Sequence, residues 1–133
     1  MRIPTKIVED IVAEASEKMS DPNYSAVLVG GFVQTQGAAA QYISASADEL
    51  GGAEEVVNTI FHTALMAECF KRANNRTIGE MTFEILDRVA SGDRKATLKK
   101  KQLAVVEYIE TNIEHEGMAS TIMLFALAMD LLS

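Results

Sequence analysis

The chain has 133 residues, of which 48% are hydrophobic and 23% are charged. This length suits one domain, and so high a hydrophobic fraction excludes the class of intrinsically disordered proteins, so we predict a single domain over residues 1–133. The net charge of −7 excludes a uniformly basic binder of nucleic acid or of membrane surfaces.

Three features of the sequence predict a cytoplasmic protein that makes no contact with a membrane. The single cysteine, Cys69, excludes an intramolecular disulfide and a zinc site made of several thiolates. Glu9 and Asp10 lie where a signal peptide would have its apolar run. The longest apolar stretch, from Met118 to Met129, is shorter than the ~20 residues that a membrane-spanning helix needs.

Helical spacing of apolar residues predicts three helices in the first part of the chain. The first covers residues 5–19 and ends before Pro22. The second covers residues 25–50, where two short strands at 26–29 and 42–44 are the alternative; small residues at seven-residue spacing favour the helix. The third covers residues 53–73, between the Gly51-Gly52 pair and the Asn74-Asn75 pair.

Three more helices follow the third. The sequence Thr77-Ile-Gly-Glu80 has the pattern of a capping box and predicts the start of a fourth helix that ends near Gly92. A fifth extends from Asp93 to about residue 113, and a sixth covers residues 118–132. No internal repeat is evident, and the short connections predict an all-α bundle of about five to six helices.

Two helices have more apolar surface than one core requires. Small residues form a seam along the second helix, which predicts a position at the centre of the bundle or at a two-fold interface. The sixth helix is apolar around most of its circumference, which is typical of a buried or interface helix. The predicted interface residues are Gly30, Val33, Gly37 and Ala40 of the second helix, and Met123, Phe125, Leu127 and Leu131 of the sixth.

Carboxylates three residues apart are the candidate metal ligands. Glu84 and Asp87 form one such pair and Glu107 and Glu110 another, and two converging pairs would hold Mg²⁺ through oxygen atoms. The combination resembles the all-α nucleoside-triphosphate pyrophosphatases, although the double-Glu element comes second here. The resemblance implies a magnesium-dependent nucleotide hydrolase as an alternative, whereas our main interpretation includes no cofactor and no metal.

The basic residues are concentrated in one segment. Residues 71–101 contain nine of the twelve bases and have a local charge of +5, so the rest of the chain has −12. A nucleic-acid-binding regulator that uses this segment is therefore a second alternative. Three consecutive lysines near the start of the fifth helix would oppose its dipole, which suggests a compensating anion. The candidate anion-binding residues are Arg94, Lys95, Lys99, Lys100 and Lys101.

No nucleophile elbow, P-loop or dinucleotide-binding glycine pattern occurs in the sequence. Cys69 lies among apolar residues, which make a thiol unreactive. Our main interpretation is therefore a non-catalytic helical protein that acts by protein association, as a homodimer with a scaffolding or regulatory role.

Overall fold

The computed structural model describes residues 2–133, and every regular element in that range is an α-helix. The nine helices of this range are α1 (Thr5–Lys18), α2 (Pro22–Thr35), α3 (Gly37–Ala45), α4 (Ala47–Leu50), α5 (Ala53–Asn74), α6 (Phe83–Ala90), α7 (Arg94–Lys101), α8 (Leu103–Asn112) and α9 (Glu116–Leu132). The all-α class is confirmed. The predicted count of five to six helices is too low, because two of the predicted helices are interrupted.

Two buried glutamines cause these interruptions. Gln36 ends α2 with φ −127° and ψ 58°, and Gln102 ends α7 with φ −142° and ψ 69°, both far from helical values. The backbone N–H of Gln36 donates to Phe32 O at 2.7 Å, and that of Gln102 donates to Leu98 O at 2.6 Å. Gln36 thus separates α2 from α3, and Gln102 separates α7 from α8. The predicted second helix has a further break at Ser46, with φ −94° and ψ 13°, which separates α3 from α4.

The amide group of each glutamine holds a segment that is distant in sequence. Gln36 Oε1 accepts a hydrogen bond from Met81 N at 2.8 Å, and its Nε2 donates to Gly79 O at 3.0 Å. These bonds keep residues 79–81 outside a helix, so the predicted capping box at Thr77 is not used. Helix α6 begins later, where the side chain of Thr82 accepts from Ile85 N at 3.3 Å.

The second glutamine holds the start of the chain with one hydrogen bond and helix α9 with another. Gln102 Oε1 accepts from Ile3 N, and its Nε2 donates to Asp130 Oδ1, both at 2.8 Å. Ile3 lies two residues before α1, as Met81 lies two residues before α6. The two glutamines therefore perform matching roles in the two halves of the chain.

This correspondence extends to the whole fold, contrary to the expectation that the chain contains no repeat. Helices α6, α7, α8 and α9 repeat the order of α1, α2, α3 and α5, and α4 is an addition in the first half. In each half the last helix is the longest, and it packs against the three others. A trace remains in the sequence, where Gln36-x-Ala38-x-x-x-Tyr42-Ile43 matches Gln102-x-Ala104-x-x-x-Tyr108-Ile109.

Contacts between the halves are reciprocal, as in an arrangement with two-fold symmetry. The ring of Tyr42 packs edge-on against Phe125, with centroids 5.6 Å apart, and the equivalent Tyr108 lies 6.0 Å from His62. His62 and Phe125 are each the tenth residue of their helix. The bonds from Gln36 to Gly79 and Met81 and the bond from Gln102 to Ile3 also cross between the halves, whereas the bond from Gln102 to Asp130 stays within the second half.

Helices α5 and α9 pack against each other at the centre of the core, and α2 lies at the periphery. The predicted position of the second helix at the centre of the bundle is therefore wrong for α2, whereas Ala39 and Ile43 of α3, which belongs to the same predicted helix, are buried in the core. The apolar circumference of α9 is explained because this helix also contacts α4, α6, α7 and α8. Within residues 2–133, no helix combines the length and the apolarity of a membrane span.

Candidate protein interface

The outer face of α2 is exposed and carries no charge. Phe32 is the one buried residue among the fourteen of this helix, all of which the structure describes. Val27 is 72% exposed and Val33 is 43% exposed. No charged residue occurs between Pro22 and Ala47. Solvated helix faces usually carry charges, so this surface is unusual for a part of the protein that contacts water.

Helix α7 occupies the place of α2 in the second half of the chain, so the residues on the outer faces of the two helices can be compared. Phe32 and Leu98 are each the buried residue that lies four positions before the helix-ending glutamine. Counting from these glutamines pairs Val29 with Lys95, Val33 with Lys99, Gln34 with Lys100 and Thr35 with Lys101. The equivalent face is therefore rich in lysine on α7 and uncharged on α2. The fold itself does not require an uncharged surface at this position.

The structure separates the predicted interface residues into accessible and buried ones. Gly30 and Val33 are exposed on α2, and Gly37 is half-buried at the start of α3. Ala40 is buried in α3, because the interruption at Gln36 separates this segment from the outer face of α2. In α9, Met123, Phe125 and Leu127 are buried inside their own chain, whereas Leu131 is 45% exposed. The accessible surface is thus mainly that of α2.

A groove of about 520 Å³ lies between α2 and α5, beside the uncharged face. Small residues leave this space open, and a Cβ atom added at Gly31 would meet nothing within 4 Å. The residues that line it include Val27, Gly31, Thr35, Ala64 and Ala67. Glu68 and Lys71 are the charged residues of the lining. Sequence reasoning missed this groove, because α2 and α5 meet only in the tertiary structure.

Three of the five predicted anion-binding residues have side-chain partners within the chain. Lys95 Nζ lies 2.9 Å from Glu110 Oε2, and Lys101 Nζ lies 3.7 Å from Asp130 Oδ2. Arg94 donates to the backbone oxygen of Ser120 at 3.2 Å and to its hydroxyl at 3.1 Å. Within residues 2–133, Lys99 and Lys100 take part in no ion pair shorter than 4 Å. The five predicted anion-binding residues therefore do not form one free cationic cluster.

The lysine cluster lies at the end of a helix and not near the start of one. The interruption at Gln102 places Lys99, Lys100 and Lys101 in the last turn of α7. Positive charge stabilises the carbonyl end of a helix, and Arg2 Nη2 also donates to Lys100 O at 3.0 Å. The expectation that these lysines oppose a helix dipole is wrong, and their position accounts for them without an anion.

The two carboxylate pairs do not converge. Glu84 lies 4.0 Å from Arg88, Glu110 is paired with Lys95, and the side chains of Asp87 and Glu107 are exposed. Among the residues that the structure describes, no group of three or more His, Cys, Asp or Glu side chains is placed to hold a metal ion. The arrangement therefore gives no support to the magnesium alternative.

A buried polar pair joins α5 to α8. His62 Nδ1 lies 2.7 Å from the hydroxyl of Tyr108. Burial lowers the pKa of His62, and it raises that of the Tyr108 phenol. Both groups are therefore neutral at pH 7, and the tautomer of the imidazole sets which of the two donates the hydrogen bond. Burial also raises the pKa of Cys69 to about 12, which keeps this thiol protonated and unreactive.

Comparison with protein-family models, with curated proteins and with solved structures finds no match to this chain.

Proposed function

We propose that this chain is a non-catalytic helical protein that acts by self-association, with the outer face of α2 at the centre of a homodimer interface. The supporting observation is the contrast between α2 and α7. Two helices that occupy equivalent places in the fold differ in that one exposes lysines and the other exposes valine, glycine and glutamine.

The energetics of association favour the uncharged face as the contact. Charged residues are depleted at the cores of protein interfaces, because removing an unpaired charge from water is costly. Each copy has a net charge of −7, so two copies repel each other at long range. A contact made through a surface without charges adds no further repulsion, and it removes Val27 and Val33 from water.

The glycines of α2 allow two such helices to approach closely. Gly30 and Gly31 are exposed, and nothing lies within 4 Å of a Cβ atom added at either position. The backbone at these positions is therefore accessible to a partner. Glycine inside a helix costs about 1 kcal/mol relative to alanine, and a close contact at this point would offset that cost.

The test transfers the surface of α7 to α2. The variant Val33→Lys/Gln34→Lys introduces the residues found at positions 99 and 100 of the equivalent helix. We expect the wild type to have twice the mass of the 14.5 kDa chain in multi-angle light scattering at micromolar concentration, and the variant to have the monomer mass. Like charges brought together across the two-fold axis should raise the Kd by about 100-fold or more.

A matched control adds the same charge elsewhere. Ala13→Lys/Ser16→Lys places two lysines at exposed positions of α1, and this variant should remain dimeric. A wild type that is monomeric under these conditions refutes the proposal. A Val33→Lys/Gln34→Lys variant that associates as tightly as the control refutes the assignment of the interface to α2.

A further inference from the structure

The two halves of the fold have side chains of different size at the positions that line the groove beside α2. Counting from the starts of α5 and α9 pairs Ala64 with Leu127 and Ala67 with Asp130. Counting from the helix-ending glutamines pairs Gly31 with Thr97 and Thr35 with Lys101. Four residues that line the groove thus have larger or charged equivalents in the second half.

In the second half, the chain fills the equivalent space with its own side chains. Leu127 is only 6% exposed, and Lys101 and Asp130 form the ion pair described above. Gln102 Nε2 also donates to this aspartate at 2.8 Å. In the first half, Ala64 lies at the position equivalent to this leucine. Thr35 and Ala67 lie at the positions equivalent to the ion pair. The first half therefore lacks an apolar side chain that the second half supplies from within.

We propose that an exposed valine of α2 from a second copy, Val27 or Val33, occupies this groove. The inference depends on the proposed self-association and specifies how the two copies fit together. A two-fold interface brings the same patch of both copies together, so the patch must contain both a projection and a recess that receives it. The α2 region has both, because its exposed valines adjoin a recess lined by Gly31 and Ala64.

The chemistry of the groove favours an apolar side chain over a small polar ligand. Ligand sites usually present several polar groups that orient the ligand. Here the Thr35 hydroxyl donates to Gly31 O at 2.9 Å, and both ends of the Gln36 amide are engaged by Gly79 and Met81. Apart from Glu68, Lys71 and Thr77, the walls that remain are formed by apolar side chains and backbone, which suit a valine.

Two variants test the inference by filling the groove with the residues of the other half. Gly31→Thr introduces the residue found at position 97, and it enters open space. Ala64→Leu introduces the residue found at position 127. Each variant should raise the dimer Kd by about tenfold or more, because an apolar side chain of the partner loses its site. The helical circular dichroism spectrum should be unchanged.

A control and three outcomes distinguish a failure of this inference from a failure of the proposed function. Ala13→Leu adds the same side chain at an exposed site of α1, and it should leave the Kd unchanged. If both groove-filling variants dimerise like the wild type while Val33→Lys/Gln34→Lys is monomeric, the groove is not the receiving site but the α2 interface stands. Because Gly31→Thr would also hinder the close approach of two α2 helices, a groove-filling variant of α5 decides the inference. If Ala64→Leu disrupts the fold, Ala67→Leu at the same wall replaces it, and an unchanged Kd for that variant refutes the inference. A monomeric wild type overturns both proposals.

Discussion

Gln36→Leu tests the role of the buried glutamines in joining the two halves of the chain. Leucine has a similar volume but can neither accept the hydrogen bond from Met81 N nor donate to Gly79 O. The backbone N–H of Met81 would lose its side-chain partner in a residue that is 0% exposed. A buried donor without a partner costs about 1–3 kcal/mol. Gly79 is exposed, so water replaces the other bond at little cost.

We therefore expect Gln36→Leu to lower the free energy of unfolding by about 1–3 kcal/mol, a large part of the about 5–15 kcal/mol typical of a domain. The assay is urea unfolding followed by circular dichroism at one protein concentration, since association also contributes to stability. Gln102→Leu should have an effect of similar size, because it deprives the N–H of buried Ile3 of its partner.

The matched control is Gln41→Leu, which makes the same substitution at an exposed position of α3. Its effect should be within about 0.5 kcal/mol, as for most surface substitutions. If Gln36→Leu is as stable as this control, then the hydrogen bonds to residues 79 and 81 do not hold the halves together, and the argument is refuted.

Two further predictions concern titratable groups buried in α5. Burial lowers the pKa of His62 below its ordinary value of 6.5, so its neutral form contributes fully to stability above that pH, and this contribution is lost as the pH falls toward the folded-state pKa. The variant His62→Phe introduces the residue found at the equivalent position 125. Between about pH 7.5 and about pH 5.5, the free energy of unfolding should therefore decrease more for the wild type than for this variant. An equal decrease in both proteins would contradict this prediction. The pKa of Cys69 is about 12, so an aromatic disulfide reagent at about pH 8 should label the thiol in urea but not in the native protein, and rapid native labelling would show that the site is open.

The helix limits that the sequence predicts correctly are set by residues next to those limits in the chain. The third helix was predicted at residues 53–73, and α5 extends from Ala53 to Asn74. Its limits are set by residues with positive φ, which are Gly51 at 110° and Gly52 at 126° before it and Asn75 at 53° after it. Glycine and asparagine adopt such conformations most readily, so these limits are visible in the sequence.

The interruptions could not be predicted in this way. Glutamine is a good helix former, and the apolar spacing on both sides of Gln36 and Gln102 continues without a change. Each helix ends because the side-chain amide bonds to backbone far along the chain, 45 residues away for Met81 and 99 residues away for Ile3. The motif shared by residues 36–43 and 102–109 could have revealed the repeat, but its four identities are too few to distinguish from chance without the fold.

The sequence by itself determined that the chain is all-α and that two of its helices have more apolar surface than usual, because helical periodicity and composition are properties of local segments. Only the tertiary structure decided which of these surfaces is internal. Helix α9 is covered by its own chain, whereas α2 remains at the periphery beside an open groove. The physical reason is that a helix has the same apolar pattern whether its partner is in the same chain or in another. Packing of the two halves around α5 and α9 covers α9 on all sides and leaves the outer face of α2 uncovered.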